Sequence, residues 1–360
     1  MTRWTAAAAN TWSVARPLPL GCNFIPSTAV NVLEMWQAAT FDAATIDREL
    51  GLAAGLGMNA VRVFLHDLLW TDPAGMIARF DTFLALADRH GIVVMPVLFE
   101  SCWDAMPVAG PQLPPRPGVH NSRWVQSPGM AALTDVDHRS RLEAYVGGVV
   151  AAFARDPRVM AWDVWNEPDN GPEIARGDVA GLQAKAALVM PLLDAAFGWI
   201  RAAGATQPLT SGVWSGDWSS PARLTPIQAC QLDQSDFTTF HNYDGASDFI
   251  RRVDWLAALG RPVMCTEYMA RPRGSTFAAI LPEARRRGVG MFNWGLVRGA
   301  TQTHLPWDSW QTPYLGPAPE PWFHDIFDPN GTLHDPADAA LFQARDASEP
   351  RRLAGSPTDA

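Results

Sequence analysis

Val159–Pro168 reads VMAWDVWNEP, a largely apolar run that ends in Asn166, Glu167 and a proline. A second run, Val263–Tyr268, reads VMCTEY and carries Glu267 near its end. Short apolar runs bounded by turn residues are typical of buried strands in a parallel sheet. Because the carboxyl ends of parallel strands lie at one edge of a sheet, both glutamates are predicted to reach the same edge.

Similar runs recur from residue 20 to residue 294, and amphipathic stretches separate them. The predicted strands are Leu20–Phe24, Ala60–Phe64, Ile92–Phe99, Val159–Val164, Leu209–Val213, Phe237–His241, Val263–Thr266 and Val289–Trp294. The predicted helices are Ile46–Leu56, Met76–His90, Leu142–Ala154, Leu182–Ala203, Ser247–Leu259 and Phe277–Arg287, and five stretches end in Gly57, Gly91, Gly204, Gly260 and Gly288. This alternation predicts the α/β class, as a single-domain (β/α)₈ TIM barrel.

The barrel is predicted to span residues 1–348, with a disordered tail at 349–360. Two irregular inserts interrupt it, residues 102–137 after the third strand and residues 298–323 after the eighth. Loops that follow barrel strands form the catalytic face, so both inserts are expected there. The fifth helix is the weakest prediction, because Pro221 and Pro226 interrupt its segment.

Composition restricts the class of ligand. Of 360 residues, 48% are hydrophobic and 18% charged, which is typical of a globular chain with a large core. The net charge of −9 argues against nucleic acid and against an acidic polymer, because both need a basic surface. A neutral, hydroxyl-rich substrate is compatible with this charge.

The four cysteines, Cys22, Cys102, Cys230 and Cys265, are scattered and have no metal-finger spacing. We predict reduced thiols, no metal site and no cofactor. The N-terminal residues lack the apolar core of a signal peptide, and no run approaches the roughly 18 apolar residues of a membrane span. A cytoplasmic protein without membrane contact is therefore expected.

Polar and aromatic side chains follow the predicted strands. They are Arg62, His66, Asn166, Glu167, Trp214, His241, Tyr243, Glu267 and Trp294. In a (β/α)₈ barrel, reactive groups come from the carboxyl ends of different strands. Two carboxylates at one rim suit glycoside cleavage, in which one donates a proton and the other acts as nucleophile or base.

The motifs Trp165–Pro168, His241–Tyr243, Thr266–Tyr268 and Asn293–Gly295, together with Val61–Val63, resemble the clan A retaining glycoside hydrolases. The most similar pattern is that of the cellulase family, glycoside hydrolase family 5. The motifs occur in the family's order, and the resemblance covers roughly residues 18 to 300.

This resemblance implies that Glu167 is the acid/base and Glu267 the nucleophile, and that Asn166 binds the sugar 2-hydroxyl. Glu167 needs a raised pKa, whereas Glu267 needs Arg62 and Tyr243 to keep it ionised. From the residues alone, Asn166 could instead cap a turn, and Arg62 could belong to a core ion pair without catalytic meaning.

The expected substrate-binding residues are Arg62, His66, Trp103, Asn166, Trp214, His241, Tyr243 and Trp294. Trp294 matches the aromatic floor under the cleaved sugar, and His241 either orients the acid/base or is a satisfied core histidine. Family members often carry a histidine near strand 3, where this chain has Phe99–Trp103; His66 is predicted to serve instead.

The sequence predicts a retaining hydrolase that acts on β-glycosidic bonds of a neutral oligosaccharide or glycoside. A transglycosylase would share the same intermediate, and a carbohydrate-binding barrel would keep the aromatic residues but tolerate loss of a glutamate. The sugar, the mode of attack and the oligomeric state stay open.

Overall fold

The computed structural model describes residues 2–171, 173 and 177–343, so the tail predicted at 349–360 lies outside the described residues. Eight parallel strands form the predicted barrel in the order β5-β4-β3-β2-β1-β8-β7-β6. They are β1 (Leu20–Asn23), β2 (Ala60–Phe64), β3 (Val93–Glu100), β4 (Trp162–Asn166), β5 (Leu209–Thr210), β6 (Thr238–Asn242), β7 (Val263–Tyr268) and β8 (Gly290–Trp294). The (β/α)₈ prediction is confirmed.

The ring closes between β5 and β6 through a parallel bridge that joins Val213 to Phe240. The predicted fifth strand is shortened to Leu209–Thr210 because side chains replace the ladder bonds that would continue it. Ser211 N–H donates to Ser235 Oγ, and Gln231 donates its side-chain amide to the Gly212 carbonyl.

Helices surround the strands in the described part of the chain. They are α1 (Ala6–Val14), α2 (Val32–Trp36), α3 (Ala43–Leu56), α4 (Pro73–Arg89), α5 (Met130–Thr134), α6 (Arg139–Phe153), α7 (Val179–Ala202), α8 (Pro226–Gln234), α9 (Ala246–Ala257), α10 (Phe277–Arg287) and α11 (Asp338–Gln343). All five glycines predicted to end helical stretches have positive φ, a conformation that favours glycine.

The doubtful fifth helix is α8. Pro226 does not break it, because the proline occupies the first turn, where its missing N–H is not needed. Thr225 caps the helix by accepting from Gln228 N–H, and the Gln228 side chain accepts from Thr225 N–H. The local cap therefore overrides the interruption that the prolines suggest.

Helix α7 corrects the expectation that no run approaches the length and hydropathy of a membrane span. Val179–Ala202 has a mean hydropathy of 1.3 over its most apolar window, so by length and composition it could cross a membrane. In the fold it lies between α6 and α8, and Val189, Leu193 and Phe197 are fully buried.

The two ends of the barrel differ. At the amino-terminal end, Trp12 of α1 contacts Phe237 with ring centroids 5.2 Å apart and caps an apolar plug that includes Met95, Met264 and Phe292. At the carboxyl end, the strands lead into the two inserts and into a cavity. Polar side chains line the cavity at this second end.

Candidate active site

Glu167 and Glu267 meet at the carboxyl end of the barrel. Glu267 lies within β7, and Glu167 directly follows β4. Both are at least 94% buried, with exposures of 6% and 4%, and a carboxylate oxygen of one lies within 4.8 Å of a carboxylate oxygen of the other. A separation of this order is typical of retaining glycosidases, whose carboxyl groups lie roughly 5–5.5 Å apart.

Glu267 has cationic and phenolic partners. Arg62 Nη1 donates to its Oε1 at 3.0 Å, and the Tyr243 hydroxyl donates to its Oε2 at 2.7 Å. Burial raises the pKa of Glu267 to about 7, while His241, Arg62 and Tyr243 act in the opposite direction. These partners favour the ionised form of Glu267 over that of its neighbour.

Arg62 connects this carboxylate to the barrel interior. Its guanidinium donates to Asp163 Oδ2 from Nε at 3.0 Å and from Nη2 at 2.9 Å. It also donates to Asn23 Oδ1 at 2.8 Å and to Asn166 Oδ1 at 2.7 Å. Arg62 is 1% exposed and does not line the cavity, so the prediction of direct substrate binding is corrected: it positions other side chains.

Glu167 has weaker donors. Asn170 Nδ2 donates to its Oε2 at 2.5 Å, the Cys102 thiol donates to the same oxygen at 3.3 Å, and His241 Nδ1 lies 2.6 Å from Oε1. Burial raises the pKa of Glu167 to about 7, and burial lowers that of His241 to about 4. Among the described residues Arg62 donates to Glu267 and not to Glu167, a difference that favours the proton on Glu167.

The backbone at Glu167 is also unusual. Its φ is 43°, in the left-handed region that residues other than glycine seldom adopt. Such conformations cost about 1–3 kcal/mol and are concentrated at functional sites. The adjoining contacts of Asn166 and Asn170 hold this turn in place.

A third buried carboxyl group, Glu100, ends β3. Its Oε2 accepts from Asn166 Nδ2 at 2.9 Å, and its Oε1 accepts from Cys102 N–H at 2.5 Å. Burial raises the pKa of Glu100 to about 7. Glu100 fixes both Asn166 and the backbone that carries Cys102, so it supports the surroundings of Glu167.

The cavity above these groups has a volume of about 370 Å³ and lies within the range of small-molecule sites. Asn166, His241, Tyr243 and both glutamates line it. Its aromatic walls are Trp103, Trp124, Trp214, Trp294, Trp307 and Trp310. A flat aromatic face suits the apolar face of a sugar ring and leaves the hydroxyl groups free to form hydrogen bonds.

The sequence matches the cellulase family, described as glycosyl hydrolase family 5, over residues 27–299. The chain belongs to glycosyl hydrolase family 5. It is therefore a glycosidase of the retaining clan A. No curated protein matches the sequence.

Solved structures share the fold of this family 5 enzyme at low identity. An exo-β-1,4-mannosidase from Opitutaceae bacterium strain TAV5 is 20% identical, with a TM-score of 0.58, and the alignment covers 91% of this chain but only 59% of the mannosidase. A GH5_18 protein from Streptomyces cattleya in complex with Manβ1-4GlcNAc is 15% identical, with a TM-score of 0.58 and coverages of 91% and 80%. A β-1,4-mannanase from Aplysia kurodai is 15% identical, with a TM-score of 0.53 and coverages of 78% and 88%.

His66 does not join the family 5 site. It is fully buried, does not line the cavity, and its Nδ1 accepts from Leu68 N–H at the start of a 3₁₀ turn. The structure therefore places His66 outside the cavity, where its ring caps this turn. Trp103 and Trp214, in contrast, line the cavity as predicted, and Trp214 Nε1 donates to Asp169 Oδ1 at 2.6 Å.

Three side chains at the site lie close enough together to bind a metal ion. Ligand atoms of Glu167, His241 and Glu267 all lie within 4.8 Å of one another. The hydrogen bond between His241 and Glu167 accounts for the proximity without an ion. The absence of a metal stays a prediction.

Sequence reasoning missed several residues of the site. They are Asn23, Glu100, Cys102, His120, Asn121, Asp163, Asn170 and His324. Two carried a usable signal: Asn23 follows the first apolar run, and Asp163 is an acid inside a buried strand. The members from the inserts carried none, because no periodicity predicts where an irregular segment of this length folds.

Proposed function

We propose that this family 5 enzyme cleaves β-glycosidic bonds of a neutral glycoside or oligosaccharide by double displacement, with Glu267 as nucleophile and Glu167 as acid/base. The observation that carries the proposal is the unlike surroundings of two adjacent buried carboxyl groups. A guanidinium and a phenol donate to Glu267, a thiol and an amide donate to Glu167, and the imidazole of His241 lies near both carboxyl groups.

In the first step, a Glu267 carboxylate oxygen attacks the anomeric carbon while the bond from that carbon to the leaving oxygen breaks. The proton of Glu167 passes to the leaving oxygen, and a glycosyl ester of Glu267 remains. In the second step, Glu167 accepts a proton from water, the water oxygen bonds to the anomeric carbon, and the ester bond breaks. Both carboxyl groups return to their starting states.

Asn166 and Trp294 are the proposed contacts of the cleaved sugar. Asn166 lines the cavity while Arg62 and Glu100 hold its amide from below. Trp294 lies beside them, with its ring edge-on to Phe64 and Trp124 at 5.7 and 5.6 Å. Trp294→Ala is expected to lower kcat/KM by the equivalent of about 1–3 kcal/mol, since it removes the stacking surface; an unchanged kcat/KM would exclude the stacking role.

A panel of aryl β-glycosides tests the activity. β-Mannosides and β-glucosides head the panel, followed by galactosides, xylosides and arabinofuranosides, because several structural neighbours are named as mannosidases, mannanases or a β-glucosidase. Proton NMR of the first product should show the β-anomer. Lack of turnover on every aryl glycoside, or an α-anomer as first product, would contradict the proposal.

A further inference from the structure

The two inserts are joined into one wall. Asn121 N–H donates to the Thr301 carbonyl at 2.7 Å, and Tyr314 N–H donates to the Gly118 carbonyl at 2.9 Å. Trp103 and Trp310 stack across the two segments with ring centroids 5.2 Å apart. We call residues 102–137 and 298–323 together the insert wall.

The insert wall lies over the loops that follow β1. Ala300 N–H donates to the Ser27 carbonyl at 2.8 Å, and Asn31 Nδ2 donates to the Arg123 carbonyl at 2.8 Å. Farther along, Gln37 Nε2 donates to the Gly110 carbonyl at 3.0 Å. The wall therefore covers the side of the barrel mouth where β1, β2 and β8 end.

This is the side of the sugar ring, not of the leaving group. Trp124 of the insert wall packs edge-on against Trp294, the residue on which the cleaved sugar is proposed to stack. The wall therefore closes that side of the Trp294 ring. Glu167 follows β4, and the proton that it donates must reach the leaving oxygen. The leaving group accordingly lies toward Asp169 and Trp214, on the opposite side of the cavity.

Six polar atoms of cavity-lining residues lack partners among the described residues, and two of these are acceptors in or directly after the insert wall. These two acceptors are Asn121 Oδ1 and His324 Nε2, in side chains that are 2% and 0% exposed. His324 Nδ1 contacts the Met269 carbonyl, an acceptor, so Nδ1 carries the proton and Nε2 presents a lone pair. An acceptor that is buried without a donor is destabilising, and a hydroxyl group of a ligand would supply the donor.

His324 is close to both the wall and the nucleophile. Its ring centroid lies 5.3 Å from that of His120 in the wall and 5.4 Å from that of Tyr243, which donates to Glu267. A hydroxyl group in reach of Nε2 would therefore belong to the sugar attached to the nucleophile. Asn121, next to His120 in the chain, approaches the same end of that sugar.

We propose that the insert wall makes the enzyme exo-acting: it admits one unsubstituted sugar at the non-reducing end, whose distal hydroxyl groups donate to Asn121 Oδ1 and His324 Nε2. This inference rests on the proposed function, because it takes the positions of sugar and leaving group from the roles of the two glutamates. It adds which bond of an oligosaccharide is cleaved, and that the non-reducing end must be unsubstituted.

Reducing-end-labelled oligosaccharides test the mode of attack. The sugar that scores best in the aryl panel is supplied as β-1,4-linked tri- to hexasaccharides, and labelled products are followed from the first minutes. Stepwise loss of one unlabelled sugar at a time is the expected pattern. Early labelled mono- or disaccharides from a hexasaccharide would overturn the inference while leaving the proposed glycosidase intact, whereas no turnover on any substrate would overturn the glycosidase instead.

Two variants test the polar contacts. Asn121→Gly removes the amide without strain, since φ at this position is 46°, and His324→Phe removes the ring acceptor. Each variant should lower kcat/KM about tenfold on the aryl glycoside that carries all its hydroxyl groups. A loss of this size is expected when one hydrogen bond to a buried acceptor is removed. On the aryl glycoside that lacks the partner hydroxyl group, the same variant should change kcat/KM less than about twofold, because the contact is already absent.

His304→Phe is the matched control. His304 lies in the second insert and its side chain is 13% exposed, but it does not line the cavity and contacts Trp322 instead. It should retain wild-type discrimination between the natural and deoxy substrates. Equal losses on both substrates for Asn121→Gly and His324→Phe would overturn the proposed contacts, even if both variants fold.

Discussion

The two glutamates of the site are equally buried but differ in what donates to them. Glu267 accepts from a guanidinium that Asp163 also holds, and from a phenol. Glu167 accepts from a thiol and an amide, beside an imidazole whose pKa burial lowers to about 4. Burial raises the pKa of both carboxyl groups, so the donors decide which group ionises first. One buried site can therefore hold a base and an acid together.

The largest effect is expected for Glu267→Ala. Turnover should fall by at least about 10⁴-fold, because the variant lacks the carboxylate that forms the glycosyl ester. Added sodium azide should restore activity and give a glycosyl azide of inverted configuration. The exposed Glu143→Ala serves as control and should match wild type. A product of retained configuration with azide would assign the nucleophile elsewhere.

Glu167→Ala should show dependence on the leaving group. General acid catalysis contributes about 10²–10⁴-fold, so substrates with poor leaving groups should lose this much in kcat/KM. Dinitrophenyl glycosides need little protonation and should lose far less in the first step. Stopped-flow kinetics on both substrates measures the difference. Equal losses on both would remove Glu167 from the proton-donor role.

Arg62→Lys weakens the cationic partner of Glu267. Lysine cannot reproduce the five hydrogen bonds of the guanidinium, so the pKa of Glu267 should rise. The nucleophile must be ionised, so a raised pKa of Glu267 means that activity is lost at a higher pH than in wild type. The acidic limb of the pH profile should therefore move to higher pH. A kcat/KM profile from pH 4 to 9 measures it. An acidic limb that stays in place would show that Arg62 does not set this ionisation.

The smallest effect is expected for Cys102→Ala. The thiol stabilises ionised Glu167, so its removal should raise the pKa of Glu167 and move the basic limb of the pH profile upward. The lost hydrogen bond corresponds to a shift of less than about one pH unit. Cys230→Ala, in α8, is the matched control. A downward shift of the basic limb would reverse the inferred direction.

Much of the fold could be predicted from the sequence because apolar runs and glycine stops are local signals. Gly57 and Gly288 end α3 and α10 where predicted, and both have positive φ. The predicted strand bounds were wrong where long-range contacts determine the pairing. Leu209–Val213 pairs over only part of its length, since Ser235 supplies a bond that the ladder would otherwise make.

At the site, the residues on strand ends were predictable and the insert residues were not. Tyr243 and Glu267 lie on adjacent strands, so their contact follows from the barrel order. His324 follows the second insert and contacts the Met269 carbonyl and the His120 ring, long-range contacts that no local pattern encodes. His66 shows the opposite error, since its position near a strand end predicted a site residue that local capping removes.

The assignment of Glu267 as nucleophile is tested most directly by trapping. Wild-type enzyme is incubated with the activated 2-deoxy-2-fluoro glycoside of its preferred sugar, digested with pepsin and analysed by mass spectrometry. The account predicts a single glycosyl ester on the peptide that contains Glu267. A glycosyl ester on Glu167 would contradict it.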